Sequence, residues 1–299
     1  MSWRGMPGIV MALAALTASR DQAPTFRASA DFVGIDVSVR RGGRPVTGLA
    51  AADFVVLDNG VSQEVAEVSY EKLPIDVTVA LDVSASVTGP VLDQLRQAVL
   101  QLKRDLGAQD RLKLITFNMR VAMVADFAPA ASHSDRELDG LRGTGSSAIF
   151  DALAVALATP VPADRRQMIV LFSDGQDSSS ITSAATLLEV ARRTTPTVHV
   201  VLAPPESSGL GTVQLSAREA AVQRAFSLLA TETGGTLIPI AREGALASTF
   251  HRSLDEFRAS YVLHFVPRGV ARSGTHTLTV KINRPGPFEV RARSGYVWR

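Results

Sequence analysis

The chain has 299 residues, 46% of them hydrophobic and 20% charged, a balance that excludes a disordered or fibrous protein. Against 29 Asp and Glu stand 31 Lys and Arg, so bulk charge gives no case for nucleic-acid binding. The length allows one large or two modest domains, and the absence of cysteine removes disulfides, thiolate metal sites and cysteine nucleophiles together.

Arg4 precedes an apolar run of about eleven residues, Gly8 to Ala18, which Ser19-Arg20-Asp21 ends. That run is too short to span ~30 Å of hydrocarbon as a helix. A basic start, a short apolar middle and small residues at Thr17, Ala18 and Ser19 fit a secretory signal peptide over residues 1–19, cleaved near Ala18 or Ser19. A buried N-terminal helix is the alternative, against which Gly5, Pro7 and Gly8 argue. No later stretch is apolar for long enough to cross a membrane, so the expected product is secreted or periplasmic and not membrane-spanning.

Residues 27–72 read as antiparallel β. Val33, Ile35, Val37 and Val39 alternate with Gly34, Asp36, Ser38 and Arg40, the period of a half-buried strand. Gly42-Gly43 turns the chain, Phe54 to Leu57 fits a second strand, Asn59-Gly60 signals a hairpin, and Val61 to Tyr70 reads as the returning strand. After Pro74 short apolar runs alternate with helical stretches, the mark of a parallel sheet with crossover helices. Strands fit Val77–Asp82, Leu112–Phe117, Met168–Ser173, Val198–Leu202 and Thr236–Ile240. Leu92, Leu95, Val99, Leu102 and Leu106 form an apolar helical stripe behind Pro90, and Val222, Ala225, Phe226 and Leu229 form another before Gly234-Gly235. Asn118-Met119-Arg120 suggests a hairpin and hence one antiparallel edge strand. From Tyr261 alternation returns through Leu278, Val280 and Ile282, then Phe288, Val290 and Ala292. Neither flank comfortably buries a core alone, but together they approach the ~100 residues of an immunoglobulin-like sandwich. The expected organisation is therefore an α/β domain over residues 75–258 inserted between two halves of one β-sandwich, 27–72 and 260–299. The alternative is two β extensions that pack separately on the α/β domain.

In open α/β sheets ligands bind beyond the carboxyl ends of the strands. The first parallel strand ends in Asp82-Val83-Ser84-Ala85-Ser86, whose spacing of two can aim one carboxylate and two hydroxyls at one space. Met168 to Phe172 runs into Ser173-Asp174-Gly175, which sets a second carboxylate at the same edge. Gly145-Ser146-Ser147-Ala148 opens a helix, so its hydroxyls lie at a helix N-terminus. Hard oxygen donors with room for water suit octahedral Mg²⁺ or Mn²⁺.

Asp82-x-Ser84-x-Ser86, a later hydroxyl residue before an Asp-Ala-Leu helix, and Ser173-Asp174-Gly175 resemble, in order, the metal-ion-dependent adhesion site of von Willebrand factor type A (VWA) domains. The resemblance covers residues 75–258 and implies a Rossmann-like, doubly wound, mostly parallel sheet. It further implies that Ser84, Ser86 and Ser147 offer hydroxyls to a divalent cation, Mg or Mn, while Asp82 and Asp174 supply charge. Ser147 stands where that family usually has Thr, keeping the oxygen and losing a methyl; Thr144 is the alternative third hydroxyl. Val46-Thr47-Gly48-Leu49, Asp53-Phe54, Asp58-Asn59-Gly60 and the ending Val290 to Tyr296 resemble a secreted bacterial family carrying this domain.

Other chemistries fit less well. Gly143-Thr144-Gly145-Ser146-Ser147-Ala148 matches Gly-x-Gly-x-x-Ala, but Leu138 to Arg142 is not an apolar strand entering a nucleotide-binding turn. His133, His199, His251, His264 and His276 show no metal-ligand spacing, and no Gly-x-Ser-x-Gly elbow exists. Asp177, Ser178, Ser179 and Ser180 read as a solvated loop and a helix cap. From Arg258 onward eight Lys and Arg meet one acid, Glu289, through outward strand faces or a locally basic β face. The leading expectation is a secreted protein-binding or adhesion module, not an enzyme, whose cation accepts an acidic side chain of an extracellular or periplasmic protein. A structural metal with binding through the β-sandwich, and a metal-assisted hydrolase, are the alternatives.

Overall fold

The computed structural model describes residues 32–70, 73–160, 162, 164–203, 216–240 and 245–298; the expected signal peptide lies outside the described residues. In the N-terminal flank, β1 (Val33–Arg41) buries Ile35, Val37 and Val39 on one face and turns through Gly42-Gly43 into β2 (Arg44–Pro45). β3 (Phe54–Asp58) and β4 (Val61–Gln63) form a hairpin closed by Asn59 and Gly60, at φ 47° and 82°. Two positive φ values match the twist of the flanking strands, which is why Asn-Gly stands there.

The expected single strand from Val61 to Tyr70 is two. β5 (Val65–Tyr70) leaves its hairpin partner for another sheet. The apolar phase changes from Val65 to Val68 and Tyr70, absorbed by a bulge opposite His264 and Phe265. Gln63 fixes the crossover by donating to the Arg268 carbonyl (3.0 Å) and accepting from its amide (2.8 Å). Local alternation shows a strand's face but not its partner.

The middle of the chain alternates strands and helices: β6 (Ile75–Asp82), α1 (Gly89–Asp105), β7 (Arg111–Phe117), β8 (Val121–Pro129), α2 (Ile149–Leu157), β9 (Arg166–Ser173), α3 (Ala184–Arg192), β10 (Thr197–Leu202), α4 (Ala217–Thr233), β11 (Leu237–Pro239) and α5 (Leu246–Arg258). These strands order as β11-β10-β9-β6-β7-β8, all parallel except β8, the antiparallel edge expected from Asn118-Met119-Arg120. Val77, Val79 and Leu81 pack with α1 and α5 on one face. Ala80, Ile115 and Phe117 pack with α2, α3 and α4 on the other. A sheet covered on both faces explains why its strands read as continuous apolar runs.

The C-terminal flank supplies β12 (Tyr261–Phe265), β13 (Gly274–Ile282), β14 (Glu289–Ala292) and β15 (Gly295–Trp298). Strands from before and after the α/β region interleave in two antiparallel sheets, β14-β1-β12-β5 and β15-β13-β3-β4. Ile35, Val37, Tyr261 and Leu263 of the first share one apolar cluster with Phe54, Val56, Leu278 and Tyr296 of the second.

Five of the eight cations from Arg258 onward are paired or buried, which leaves Arg272 and Lys281 exposed on this flank. Arg258 pairs with Asp110 (2.5 Å), Arg284 with Asp53 (2.5 Å), Arg268 with Glu64 (3.6 Å) and Arg291 with Glu256. Arg293 is buried and donates to the Ala191 (3.2 Å) and Thr194 (2.7 Å) carbonyls at the end of α3. Burial lowers its pKa to about 10. The compensating acids lie far away in sequence, so a local charge count misses them.

Candidate metal centre

β6 lies between β9 and β7, with Leu81 opposite Phe172 and Asp82 opposite Phe117. The segments that begin after Asp82, Phe117 and Ser173 therefore leave the sheet side by side. Asp82 is fully buried. Its Oδ1 accepts from the Ser84 amide (2.9 Å), and its Oδ2 accepts from the hydroxyls of Ser147 (3.1 Å) and Ser173 (2.6 Å). Burial pushes the Asp82 pKa up; hydrogen bonds from Ser173 and Ser84 oppose the rise, and the negative charge of nearby Asp174 adds to it. Asp174 is half-buried and accepts from the Gln176 amide (3.0 Å).

The expected hydroxyl donors are differently placed. Ser84 is buried and its Oγ lies 3.1 Å from that of Ser86, which is exposed. Ser147 is buried against Asp82, whereas Thr144 is exposed and accepts from the Asn118 side chain (3.3 Å). Of the two alternatives, Ser147 is the hydroxyl that reaches the carboxylate. Gly143 allows this approach, because a Cβ there would stand 2.3 Å from the Val87 carbonyl and 2.8 Å from that of Ser84. The Gly-x-Gly pattern thus reflects two loops in close contact.

The helix begins at Ile149, after the serines. Its free amides are capped from a distance: Asp177 accepts from Ile149 (2.8 Å) and Ser180 from Phe150 (3.0 Å). Asp177 and Ser180 therefore cap the helix before them in the chain, while α3 is capped by Ser183. The Ser178 and Ser179 amides donate to the Ser147 carbonyl (2.8 and 2.9 Å), holding it from behind. In sequence Ser173 stands only as the residue before Asp174, Asp177 as a loop and cap residue and Asn118 as a turn residue; their contacts around Asp82 and Ser147 come from the fold.

Among the described residues, no Lys, Arg or His pairs with Asp82, and hydroxyl and amide donors alone satisfy it. No cluster of three or more His, Cys, Asp or Glu with metal-holding geometry occurs among those residues. Two carboxylates and three hydroxyls at one sheet edge are hard oxygen donors with little charge, a set that fits Mg²⁺ or Mn²⁺ and not a soft metal.

Residues 77–176 match the family model of the von Willebrand factor type A domain. Among solved structures, proximal thread matrix protein 1 from the mussel byssus is 13% identical, with a TM-score of 0.50 over 62% of this chain and 48% of its own. This chain thus spans about half of the mussel protein. BatB from Bacteroides thetaiotaomicron is 15% identical (TM-score 0.47, covering 61% of this chain and 98% of that one). A von Willebrand factor type A protein from Catenulispora acidiphila is 12% identical (TM-score 0.49, 91% and 75%).

Proposed function

We propose that this protein is a secreted or periplasmic protein-binding module that uses a divalent cation, Mg²⁺ or Mn²⁺, to engage an acidic side chain of a partner. VWA domains commonly serve in adhesion and protein interaction. The observation that carries the reading is that Asp82 is a buried carboxylate held by hydroxyls and an amide, with no counter-charge among the described residues. Burying an unpaired charge is costly, so a retained one calls for a cation supplied from outside. Asp82 and Asp174 would supply charge to it, and Ser84, Ser86 and Ser147 hydroxyl oxygens. A cation held mainly by neutral oxygens stays electrophilic and accepts a further carboxylate.

We read this site as binding without turnover. Hydrolysis needs a proton-transferring group at the reacting centre. His133 instead contacts the Leu112 carbonyl (2.8 Å), His199 the Thr236 hydroxyl (2.8 Å) and His276 the Asp58 carboxylate (2.7 Å). The interleaved flanks, sharing one apolar cluster, support reading 27–72 and 260–299 as one β-sandwich. Export rests on the Gly8 to Ala18 run and is checked by sequencing the N-terminus of protein recovered outside the cytoplasm.

The test is a thermal melt of the mature protein in EDTA and then in millimolar Mg²⁺ or Mn²⁺, beside Asp82→Ala/Asp174→Ala. At ~100 times Kd a cation adds about 2.7 kcal/mol, or roughly 5–10 °C in midpoint. A shift confined to wild type is the expected result; equal melts in both proteins would overturn the reading.

A further inference from the structure

Two apolar side chains stand out of turns fastened to the candidate metal site. The turn between β7 and β8 is closed by Asn118, whose amide donates to the Arg120 carbonyl (3.1 Å) and whose side chain accepts from the Arg120 amide (3.0 Å). It is tied to the site loop through the Ala148 amide, which donates to the Asn118 carbonyl (2.8 Å), and through Thr144. Met119 on this turn is 61% exposed, yet its Sδ lies 3.5 Å from where a Cβ on Gly145 would stand. The Gly145 carbonyl in turn accepts from the Ala85 amide (2.9 Å), between Ser84 and Ser86. The Met119 thioether therefore packs at Gly145, whose backbone is bonded to the Ser84–Ser86 loop.

Ile181 projects from the loop that holds Ser147 on the Asp174 side, and it is 95% exposed. Its backbone is not loose: the Ile181 and Thr182 amides donate to the Asp151 carboxylate (3.0 and 2.8 Å). Single exposed apolar residues are ordinary. Here two of them are held on hydrogen-bonded turns that need no ordering when a partner arrives, which lowers the entropic cost of binding. Arg120, next to Met119, is exposed and forms no ion pair among the described residues.

We propose that Met119, Arg120 and Ile181 form a recognition surface for a protein segment in which the cation-directed acid is flanked by an apolar residue and a second acid. This rests on the cation-dependent reading above and adds to it the chemistry of the partner. Met119 is unbranched and polarisable and adapts to differing apolar side chains. Arg120 and a cation held by Asp82 and Asp174 would present two positive points, complementary to an acidic segment. An apolar contact at each of Met119 and Ile181 accounts for about 1 kcal/mol, or roughly fivefold in affinity.

The test is selection of a phage-displayed random dodecapeptide library on the mature protein in Mg²⁺, eluted with EDTA, with Mg²⁺ uptake followed separately by calorimetry. The expected peptides pair an acid with a neighbouring Leu, Ile, Phe or Met. Met119→Ser and Ile181→Ser should each weaken them roughly fivefold, and Arg120→Ala about threefold with a loss of salt dependence. Mg²⁺ heats should stay unchanged in all three, which also shows that the variants are folded. Peptides without apolar neighbours, equal binding by the three variants, or no EDTA-eluted binder would overturn this inference while leaving Mg²⁺ uptake intact. Absence of Mg²⁺ uptake by wild type would instead overturn the cation-dependent reading beneath it.

Discussion

Two buried aspartates on the same strand, at opposite ends of β6, have opposite surroundings. Asp76 at the amino end receives two guanidinium groups, Arg111 and Arg165, each at 2.5 Å. Nearby, Asp110 pairs with Arg258 (2.5 Å), and buried Arg166 bridges Asp36 (2.6 Å), the Phe257 carbonyl (2.7 Å) and Ser260 (2.6 Å). Asp82 at the carboxyl end has hydroxyls and one amide. Guanidinium pairing consumes the charge of Asp76 in joining the sheet to its surroundings, whereas hydroxyls orient Asp82 without neutralising it. Both carboxylates are buried; what separates them is that Asp82 has no charged partner among the described residues.

The same substitution at both ends should therefore have opposite signs. Asp76→Asn strands two arginines beside a neutral group and should lower stability by ~3–5 kcal/mol, equally with and without Mg²⁺, in a denaturant titration. An effect that depended on Mg²⁺ would dissolve the contrast.

Acid should also act differently along the sheet. Burial lowers the His199 pKa from 6.5 to about 3, so the imidazole stays neutral in the folded chain. Its folded pKa lies below its unfolded one, so its contribution is complete above pH 6.5 and is lost as pH falls towards 3, by up to about 1.4 kcal/mol per pH unit. His199→Gln should flatten that slope in urea melts across this window.

At the carboxyl end, Ser173→Ala removes a donor that orients Asp82 and should weaken Mg²⁺ binding about tenfold by calorimetry, with Ser173→Thr restoring it. The smallest effect is expected of Asp82→Asn in EDTA, which should raise the melting temperature by roughly 2–4 °C, equivalent to ~1 kcal/mol. Because the folded Asp82 pKa is raised above 3.8, its charge opposes folding at neutral pH. That opposition fades as pH falls through the folded value, so the variant's advantage should shrink on acidification. A neutral-pH loss of stability in this variant would show that Asp82 is already neutralised.

Much of the α/β region was legible because its signals are local. The stripe from Leu92 to Leu102 in α1, the buried runs of β6 and β9, and the Asn59-Gly60 turn each arise from neighbours in sequence. The place of Asp82 and Ser173-Asp174 at the sheet edge was also legible, since each ends an apolar strand. The switch of Val61–Tyr70 between sheets, the capping of α2 by Asp177 and Ser180, and the pairing of the C-terminal arginines were not. Each joins residues about 30 or more positions apart, beyond the reach of any periodicity.

The sequence by itself determined an α/β region between β flanks and which oxygen-bearing residues end its strands, because hydrophobic period and strand-end position are properties of the chain alone. Tertiary structure decided that Ser147 and not Thr144 reaches Asp82, that Ser173 completes its hydrogen bonding, and that among the described residues no arginine does for Asp82 what Arg111 and Arg165 do for Asp76. Whether a buried carboxylate is neutralised or left without a charged partner depends on which distant side chains folding brings to it, and only three-dimensional packing sets that.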